Sequence, residues 1–512
     1  MNPVIVSLFV FFVPVVVFLY APILYLSLRA LDSFSPETLS LVPWNVIAFT
    51  YLQASVSAIL SLVLGLLIAL FVSENSFWGK RAISIFCEIV FFIPSILVVL
   101  SLLGTWGVQG WLGRTFGIVN FLGWNGILTG HVFLNFSLVY SNLLQALKEL
   151  DRTEEKVALS LGASRWQVFR EITLVKLKSA ILQSLLLCFF YCSSSFIIVL
   201  MLGGAPRFSS LETAIYQAVK IDLDISLAIL LAAIQLVVCL FLQFLRKPKR
   251  EILMSSQGME RQTLFDLRSQ RVRILATLIV WVVILGLVFL PLTHLIISGF
   301  SGVFKLDWWE FSSVLIRSIV LSFVVGCVAT FLSLCGSYCV QHLNNSFLKQ
   351  AVYFTTSLPI ALSTMVTGLA IIVTFAKTDW FRNQMFGVVC IQALSILPLG
   401  FRILNEQFTK IELEIYQTAQ SLGATQWQQL TCIEFPLLRR AISLVLVTGV
   451  GISLGESSSL LLFESQGRST ITLLLFKMMG KYRFEEAFTV GLILLILTAS
   501  IFWIREKWLN LN

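Results

Sequence analysis

The chain has 512 residues, of which 57% are hydrophobic and only 12% charged, where a soluble protein has about 25% charged residues. Its net charge of +9 would suggest a nucleic-acid partner in a soluble protein, but membrane proteins carry such an excess of Lys and Arg on their cytoplasmic side. The composition excludes a cytosolic enzyme, a secreted protein and a disordered scaffold. It predicts an all-α polytopic membrane protein surrounded by lipid, without a nucleic-acid partner.

Twelve runs of mostly apolar residues are long enough for a membrane-spanning helix, which needs about 20 residues. In the first half of the chain they cover 4–28, 50–73, 84–104, 126–147, 179–202 and 224–245. In the second half they cover 274–298, 313–339, 350–376, 385–401, 441–463 and 487–504. The run at 385–401 is the weakest of the twelve, because it is short and contains Gln392 and Pro398.

Basic residues predict how the chain is oriented. Twelve spans place both termini on one side of the membrane. If the N-terminus is cytoplasmic, 24 of the 36 Lys and Arg lie on the cytoplasmic side and 12 on the other. Because basic residues favour cytoplasmic loops, this two-to-one bias predicts a multi-pass protein of the cytoplasmic (inner) membrane with both termini cytoplasmic.

A polar, amphipathic segment occurs twice, at 151–181 and 412–442, with a constant offset of 261 residues. The residues of the first copy that recur in the second are Ala158, Ser160, Leu161, Gly162, Ala163, Trp166, Gln167, Ile172, Leu177, Ala180 and Ile181. Six spans separate the copies, so both face the same compartment. The halves are therefore expected to be two parallel six-helix repeats.

The repeat defines the expected domains. The first six-span repeat covers 1–245 and contains a cytoplasmic loop at 149–178, here named the first repeated loop. A polar, basic linker follows at 246–273. The second six-span repeat covers 274–512, with the second repeated loop at 402–440.

Each repeated loop is expected to form a short helix, a Ser-Leu-Gly-Ala turn and a second short helix. Gly162 and Gly423 lie at the turn, where a positive φ would penalise any side chain. An apolar stripe with charged edges suits a knob that docks into a groove on another protein. The alternative is an amphipathic helix on the lipid surface. Two loops at equivalent positions favour a two-fold partner.

The loops resemble the EAA motif of permease subunits of binding-protein-dependent ATP-binding-cassette importers. The motif falls on Lys156-Val157-Ala158 and Gly162 in the first loop, and on Gln417-Thr418-Ala419 and Gly423 in the second. Its Glu is absent from both copies and its Pro from the first. The resemblance implies that the loops couple this subunit to ATPase subunits through Ala158, Leu161, Gly162, Ala163, Ile172, Ala419, Leu422, Gly423, Ala424, Ile433 and Pro436.

The same resemblance implies the partners: two ATP-binding-cassette ATPase subunits, an extracytoplasmic substrate-binding protein and membrane lipid. The sequence contains no G-x-x-x-x-G-K-[ST] motif, so ATP is expected on the partner subunit and no cofactor on this chain. His131, His294 and His342 are scattered along the sequence. Neither a metal site nor an enzymatic activity is therefore expected.

Polar residues inside two predicted spans are candidates for the substrate pathway, since a charge at mid-bilayer costs about 2.5–3.5 kcal/mol. Glu456 and Ser457 lie in the span at 441–463. The equivalent place in the first half holds Ser193, Ser194 and Ser195. These two clusters are expected to face each other across the pseudo-two-fold axis. The alternative is that Glu456 bonds to serines and holds helices together.

The substrate is indicated only by resemblance. Residues 202–236 and 471–487 are similar to the corresponding segments of permeases for thiamine and thiamine pyrophosphate. Fused twelve-span permeases for ferric iron share the same architecture and are the alternative. A secondary transporter driven by an ion gradient is less favoured, because it would not need two matched cytoplasmic docking helices.

Overall fold

A computed structural model describes residues 3–32, 42–75, 77, 79–150, 153–204, 207–245, 270–376, 378, 384–463 and 469–509. Within these residues all regular secondary structure is helical, which confirms the all-α prediction. The predicted linker at 246–273 lies outside the described residues except for its last four.

The helices that precede the linker belong to the first half. They are α1 (Pro3–Asp32), α2 (Trp44–Glu74), α3 (Lys80–Phe91), α4 (Ser95–Trp106), α5 (Trp111–Phe116), α6 (Trp124–Glu149), α7 (Thr153–Ser160), α8 (Arg165–Ser193), α9 (Ile197–Leu202), α10 (Leu211–Lys220) and α11 (Ile225–Leu245).

The helices of the second half follow the same plan. They are α12 (270–299), α13 (Trp308–His342), α14 (Ser346–Ala361), α15 (Thr364–Phe375), α16 (Gln384–Phe408), α17 (Leu413–Ser421), α18 (Gln426–Gly455), α19 (Ser458–Leu462), α20 (Ile471–Gly480) and α21 (Phe484–Leu509).

Eleven helices in the described part of the chain are long and apolar enough to cross a membrane, and the count reaches twelve if α14 and α15 form one span. The polytopic prediction is therefore confirmed. The run at 385–401 belongs to the 25-residue helix α16, since the helix continues through polar residues as far as Phe408. The helix also accommodates Gln392 and Pro398, the two residues that made this run look weak in the sequence.

Four predicted spans are not single helices. The run at 84–104 divides between α3 and α4, where Pro94 takes an extended conformation (ψ 135°) and begins α4. The run at 350–376 bends by 104° between α14 and α15. The runs at 179–202 and 441–463 stop at Ser193 and Gly455 and resume as the short helices α9 and α19. Hydropathy does not detect these breaks, because the residues around them remain largely apolar.

The described helices form two compact units that differ from the two sequence repeats. The larger comprises Met1–Pro43, Leu211–Gln243 and Gly299–Asn512, and thus combines α1 with most of the second half. Phe11, Val15 and Leu19 of α1 are buried in its core with Leu332 and Phe401. The predicted repeats at 1–245 and 274–512 are units of sequence, and their limits stay a prediction.

The smaller unit comprises Trp44–Ser210 and Phe244–Ser298, and it includes the first helix of the second half, α12. The ring of Phe289 in α12 stacks on Phe86 of α3 with centroids 4.0 Å apart. Helices α2 and α6 pack closely, since a Cβ at Gly65 would lie 2.7 Å from Val139. The first helix of each half, α1 or α12, therefore belongs to the unit that contains most helices of the other half.

Candidate functional site

The turn of the first repeated loop is a glycine-terminated helix cap. Helix α7 ends at Ser160, and Gly162 follows with a φ of +90°. The Ala163 N–H donates to the Ala158 carbonyl at 3.0 Å, and the Gly162 N–H donates to the Leu159 carbonyl at 3.1 Å. This paired bonding satisfies carbonyls that a helix end otherwise leaves open, and it needs a left-handed residue at Gly162.

The second repeated loop has the same turn. Gly423 has a φ of +81°. The Ala424 N–H donates to the Ala419 carbonyl at 3.0 Å, and the Gly423 N–H to the Gln420 carbonyl at 2.9 Å. The repeated Ala, Gly and Ala thus supply the acceptor, the left-handed residue and the donor of one motif.

A capping box starts the helix after each turn. In the first loop the Gln167 N–H donates to Ser164 Oγ at 3.3 Å, and the Ser164 N–H donates to Gln167 Oε1 at 2.8 Å. Thr425 and Gln428 make the same pair of bonds in the second loop, at 3.3 and 2.8 Å. Each loop is therefore fixed at both sides of its turn, which gives the two copies one shape.

The tip of each loop presents an apolar side chain. Leu161 is 82% exposed and Leu422 is 83% exposed, although both lie in polar segments. Trp166 and Trp427, one turn further on, are also exposed. A leucine held at the tip of a rigid turn fits a knob for a protein groove.

The loops are anchored by different side chains. In the first, the buried Glu155 accepts a hydrogen bond from Thr173 Oγ1 at 2.6 Å. The residues 261 positions later are Tyr416 and Glu434, and the buried Glu434 pairs with His342 Nε2 at 2.5 Å. Burial raises the pKa of Tyr416, and the neighbouring Glu434 carboxylate adds to the rise. The two loops therefore share the shape of the turn, but different side-chain contacts anchor them to the rest of the protein.

The remaining coupling candidates lie beyond the turns. Ile172 and Ile433 are half-buried and occupy equivalent π-helical turns at Phe169–Thr173 and Leu430–Glu434. Pro436 is exposed just after the second of these turns. A proline fits this position near a helix start because no backbone N–H is needed there.

Glu456 lies at the break between α18 and α19. Its carboxylate accepts hydrogen bonds from the N–H groups of Ser458 at 2.8 Å and Ser459 at 3.2 Å, and also from Ser459 Oγ. It thereby caps the first turn of α19, where free N–H groups attract a negative charge. Ser457 is buried at the same break.

The amide of Gln392 in α16 joins the two sides of this break. Its oxygen accepts from Ser453 Oγ in α18 at 2.6 Å. Its nitrogen donates to Glu456 Oε2 at 3.2 Å and to Ser459 Oγ at 3.1 Å. The residue that weakened the span prediction is therefore buried and bonded on both sides of the break.

The three serines of the first half lie at the corresponding break, between α8 and α9. The hydroxyls of Ser193 and Ser194 donate to the Phe190 carbonyl at 3.0 and 2.7 Å. The Ser195 N–H donates weakly to the Cys192 carbonyl at 3.4 Å. These serines terminate their own helix. That they face Glu456 across an axis stays a prediction, since the two breaks lie in different units.

Three buried polar residues were not identified from the sequence: Gln392, His131 and Glu212. Gln392 and His131 carry no motif, and His131 was set aside as an isolated histidine. Glu212 is fully buried near the start of α10, where the Gln235 amide donates to it. For His131 and Gln392 the available signal was a polar residue within an apolar run, whereas Glu212 lies in a segment of mixed polarity that gives no such signal.

The fold and these sites define the class of the protein. It is a helical membrane protein whose described part contains eleven or twelve candidate spans, and each half carries a loop with the same glycine turn and capping box. The sequence profile of the family described as binding-protein-dependent transport system inner membrane component matches residues 61–247 and again 333–507. The chain belongs to this family, with one copy of its domain in each half, and is thus a permease subunit of an ATP-binding-cassette importer.

Some known relatives match nearly the whole chain, and another matches only part of it. It is 28% identical to the thiamine transport system permease protein ThiP of Haemophilus influenzae, over 90% of this chain and 87% of that protein. It is 27% identical to the protein of the same name in Escherichia coli, over 91% and 89%. It is also 28% identical to the probable sulfate transport system permease protein cysT of Chlorella vulgaris, over 38% of this chain and 74% of that protein.

Proposed function

We propose that this chain is the permease subunit of an ATP-driven importer for thiamine or thiamine pyrophosphate. The observation that carries the proposal is the similarity to thiamine transport system permeases over 90% of this chain and 87% of the Haemophilus protein. The segments at 202–236 and 471–487 also resemble such permeases. No observation on this chain favours ferric iron as the substrate.

The repeated loops would dock on two ATPase subunits. The exposed Leu161 and Leu422, each on a turn fixed by a capping box, support this role. ATP would be bound and hydrolysed by those partners, and this chain would carry no cofactor. A substrate-binding protein on the opposite face of the inner membrane would deliver thiamine. The bias of basic residues supports cytoplasmic loops and termini.

One continuous helix joins each repeated loop to the break in the fifth span. Helix α8 has 29 residues and ends at Ser193, and α18 has 30 residues and ends at Gly455. At 1.5 Å per residue each is about 45 Å long, enough to cross a membrane. A push on the loop by a closing ATPase would therefore reach the break through a packed helix, exposing the pathway to each side in turn.

The pathway would include Glu456, Ser457 and the serines at 193–195. Glu456 is only half-buried where it directly follows the candidate span Gln426–Gly455, so its carboxylate is not fully enclosed by protein. Thiamine carries a permanent positive charge on its thiazolium ring. A carboxylate at a helix break, where backbone is not fully paired, would be a point of contact for such a cation.

The proposal is tested by uptake of labelled thiamine and of ferric iron in bacteria that lack their own thiamine uptake. The cells express this chain together with its ATPase and binding protein, and cells without this chain serve as the control. We expect concentrative uptake of thiamine that unlabelled thiamine suppresses and ferric iron does not. Uptake of ferric iron without uptake of thiamine would contradict the proposal.

A further inference from the structure

His131 and Gln392 hold the same position in the two halves. The offset of 261 that relates the repeated loops also relates His131 to Gln392, and Cys192 to Ser453. Both residues lie on the fourth span of their half, in α6 and α16, and both are 1% exposed. A neutral histidine offers one N–H donor and one acceptor nitrogen in a flat group, and a glutamine amide offers an NH2 group and an acceptor oxygen, so an amide can supply both functions of the imidazole.

Gln392 fixes the second-half break from both ends. Ser453, which donates to it, lies in the last turn of α18, and Ser459, to which it donates, lies in the first turn of α19. Its bond to Glu456 also orients the carboxylate that caps α19. Without this amide, two serine hydroxyls and the carboxylate lose a shared partner in a buried place.

His131 lies in a polar cluster at the first-half break. Its Nδ1 is 3.0 Å from Ser57 Oγ. Gln53 donates to the Cys192 carbonyl at 3.1 Å, and Asn135 contacts Cys192 Sγ at 3.4 Å. Cys192 is the counterpart of Ser453 and lies in the last turn of α8. Several polar side chains therefore gather here around the end of the helix.

The second ring nitrogen of His131 is buried and has no hydrogen-bond partner among the described residues. Buried polar atoms in proteins are nearly always hydrogen-bonded, so this nitrogen calls for an explanation. In the second half, the amide at this position faces the break. The unpartnered Nε2 is thus the available atom of His131 for the same task in the first half.

We propose that Gln392 and His131 are equivalent positioning residues, each of which holds the break in the fifth span of its own half in the shape that transport requires. The inference deepens the proposed function and rests on it for the transport readout. It predicts that an amide replaces the imidazole at position 131, whereas an apolar side chain does not. It also predicts that removing the Gln392 amide loosens the second-half break, although Gln392 belongs to no recognised motif.

The test compares His131→Gln, His131→Leu, Gln392→His and Gln392→Leu in the purified permease–ATPase complex. Gln243→Leu is the matched control, since it removes a half-buried amide from a span away from either break. Amide hydrogen exchange of the segments at 194–203 and 456–463 reports on the breaks without any substrate. Thiamine uptake in vesicles, resolved into KM and maximal rate, reports on transport.

We expect each leucine variant to speed exchange at its own break about tenfold and to lower the maximal rate of uptake by a similar factor, as loss of a buried hydrogen-bond partner implies. His131→Gln is expected to stay within about twofold of the parent in both readouts. Unchanged exchange in Gln392→Leu would overturn the proposal, as would His131→Gln behaving like His131→Leu. If the leucine variants do not fold, loss of uptake in both His131→Gln and Gln392→His overturns the proposal.

The exchange readout separates this inference from the proposed function. If the parent complex transports a substrate other than thiamine, the proposed substrate fails while the exchange comparison still holds. If the parent transports thiamine and the breaks do not respond to any of the four changes, the positioning role fails alone.

Discussion

Replacing Gly162 and Gly423 together with valine is expected to lower the amount of thiamine transported per ATP hydrolysed by about tenfold or more. Both glycines have a positive φ, which costs about 1–3 kcal/mol for a residue with a side chain, and 1.4 kcal/mol corresponds to a factor of ten. Apart from the two chain neighbours, no described residue has an atom within 4 Å of a Cβ built at either position. The change therefore acts on the turn itself and should not prevent membrane insertion.

Two controls isolate the turn as the cause. Gly117 also has a positive φ and open space around its Cβ, but it follows α5, outside the repeated loops. Gly117→Val is expected to leave the transport ratio unchanged. Asparagine tolerates the left-handed conformation, so Gly162→Asn with Gly423→Asn should retain most coupling. An undiminished ratio in the double valine variant would contradict docking through these loops.

Replacing Glu456 with glutamine is expected to reduce thiamine uptake about tenfold, the effect of about 1.4 kcal/mol, while the helices stay folded. Glutamine keeps one oxygen that can accept from the Ser458 and Ser459 N–H groups, but it removes the negative charge that a cation would meet. Leucine removes every acceptor and leaves donors unsatisfied at about 1–3 kcal/mol each. Glu456→Leu should therefore also lower the unfolding temperature.

The measurement is the concentration dependence of uptake in reconstituted vesicles, together with thermal unfolding of the purified complex. Glu310→Gln, which removes an exposed carboxylate at the start of α13, is the matched control and should leave both unchanged. Undiminished uptake with unchanged coupling in Glu456→Gln would contradict a role for this carboxylate in the pathway and leave it only the capping of α19.

Features that depend on composition or repetition could be predicted from the sequence. The spans follow from runs of apolar residues, and the turns of the repeated loops follow from Gly162 and Gly423 with their matched neighbours. The sequence shows that Gln167 recurs as Gln428, but the repetition alone did not predict that each glutamine forms a capping box. A short-range motif is recoverable because its partners lie three or four residues apart.

Features that depend on long-range contacts could not be predicted. The polar residues at Glu456 lie within a longer apolar run, so hydropathy does not show that the helix breaks there. The carboxylate that caps α19 is 64 residues from the Gln392 amide in the sequence. The grouping of α1 with the second half depends on which apolar faces meet, and lipid-facing and buried helices have similar composition. Because its hydrogen-bond partners are distant in the sequence, Gln392 counted against a predicted span, although its side chain is buried and hydrogen-bonded.

The most direct test of the account is uptake of labelled thiamine by vesicles that contain this chain, its ATPase subunits and its binding protein. The account predicts accumulation that requires ATP on the side of the repeated loops and requires the binding protein. Accumulation should persist when ion gradients are abolished. Thiamine uptake by vesicles that contain this chain alone, driven by an imposed ion gradient without ATP, would contradict it.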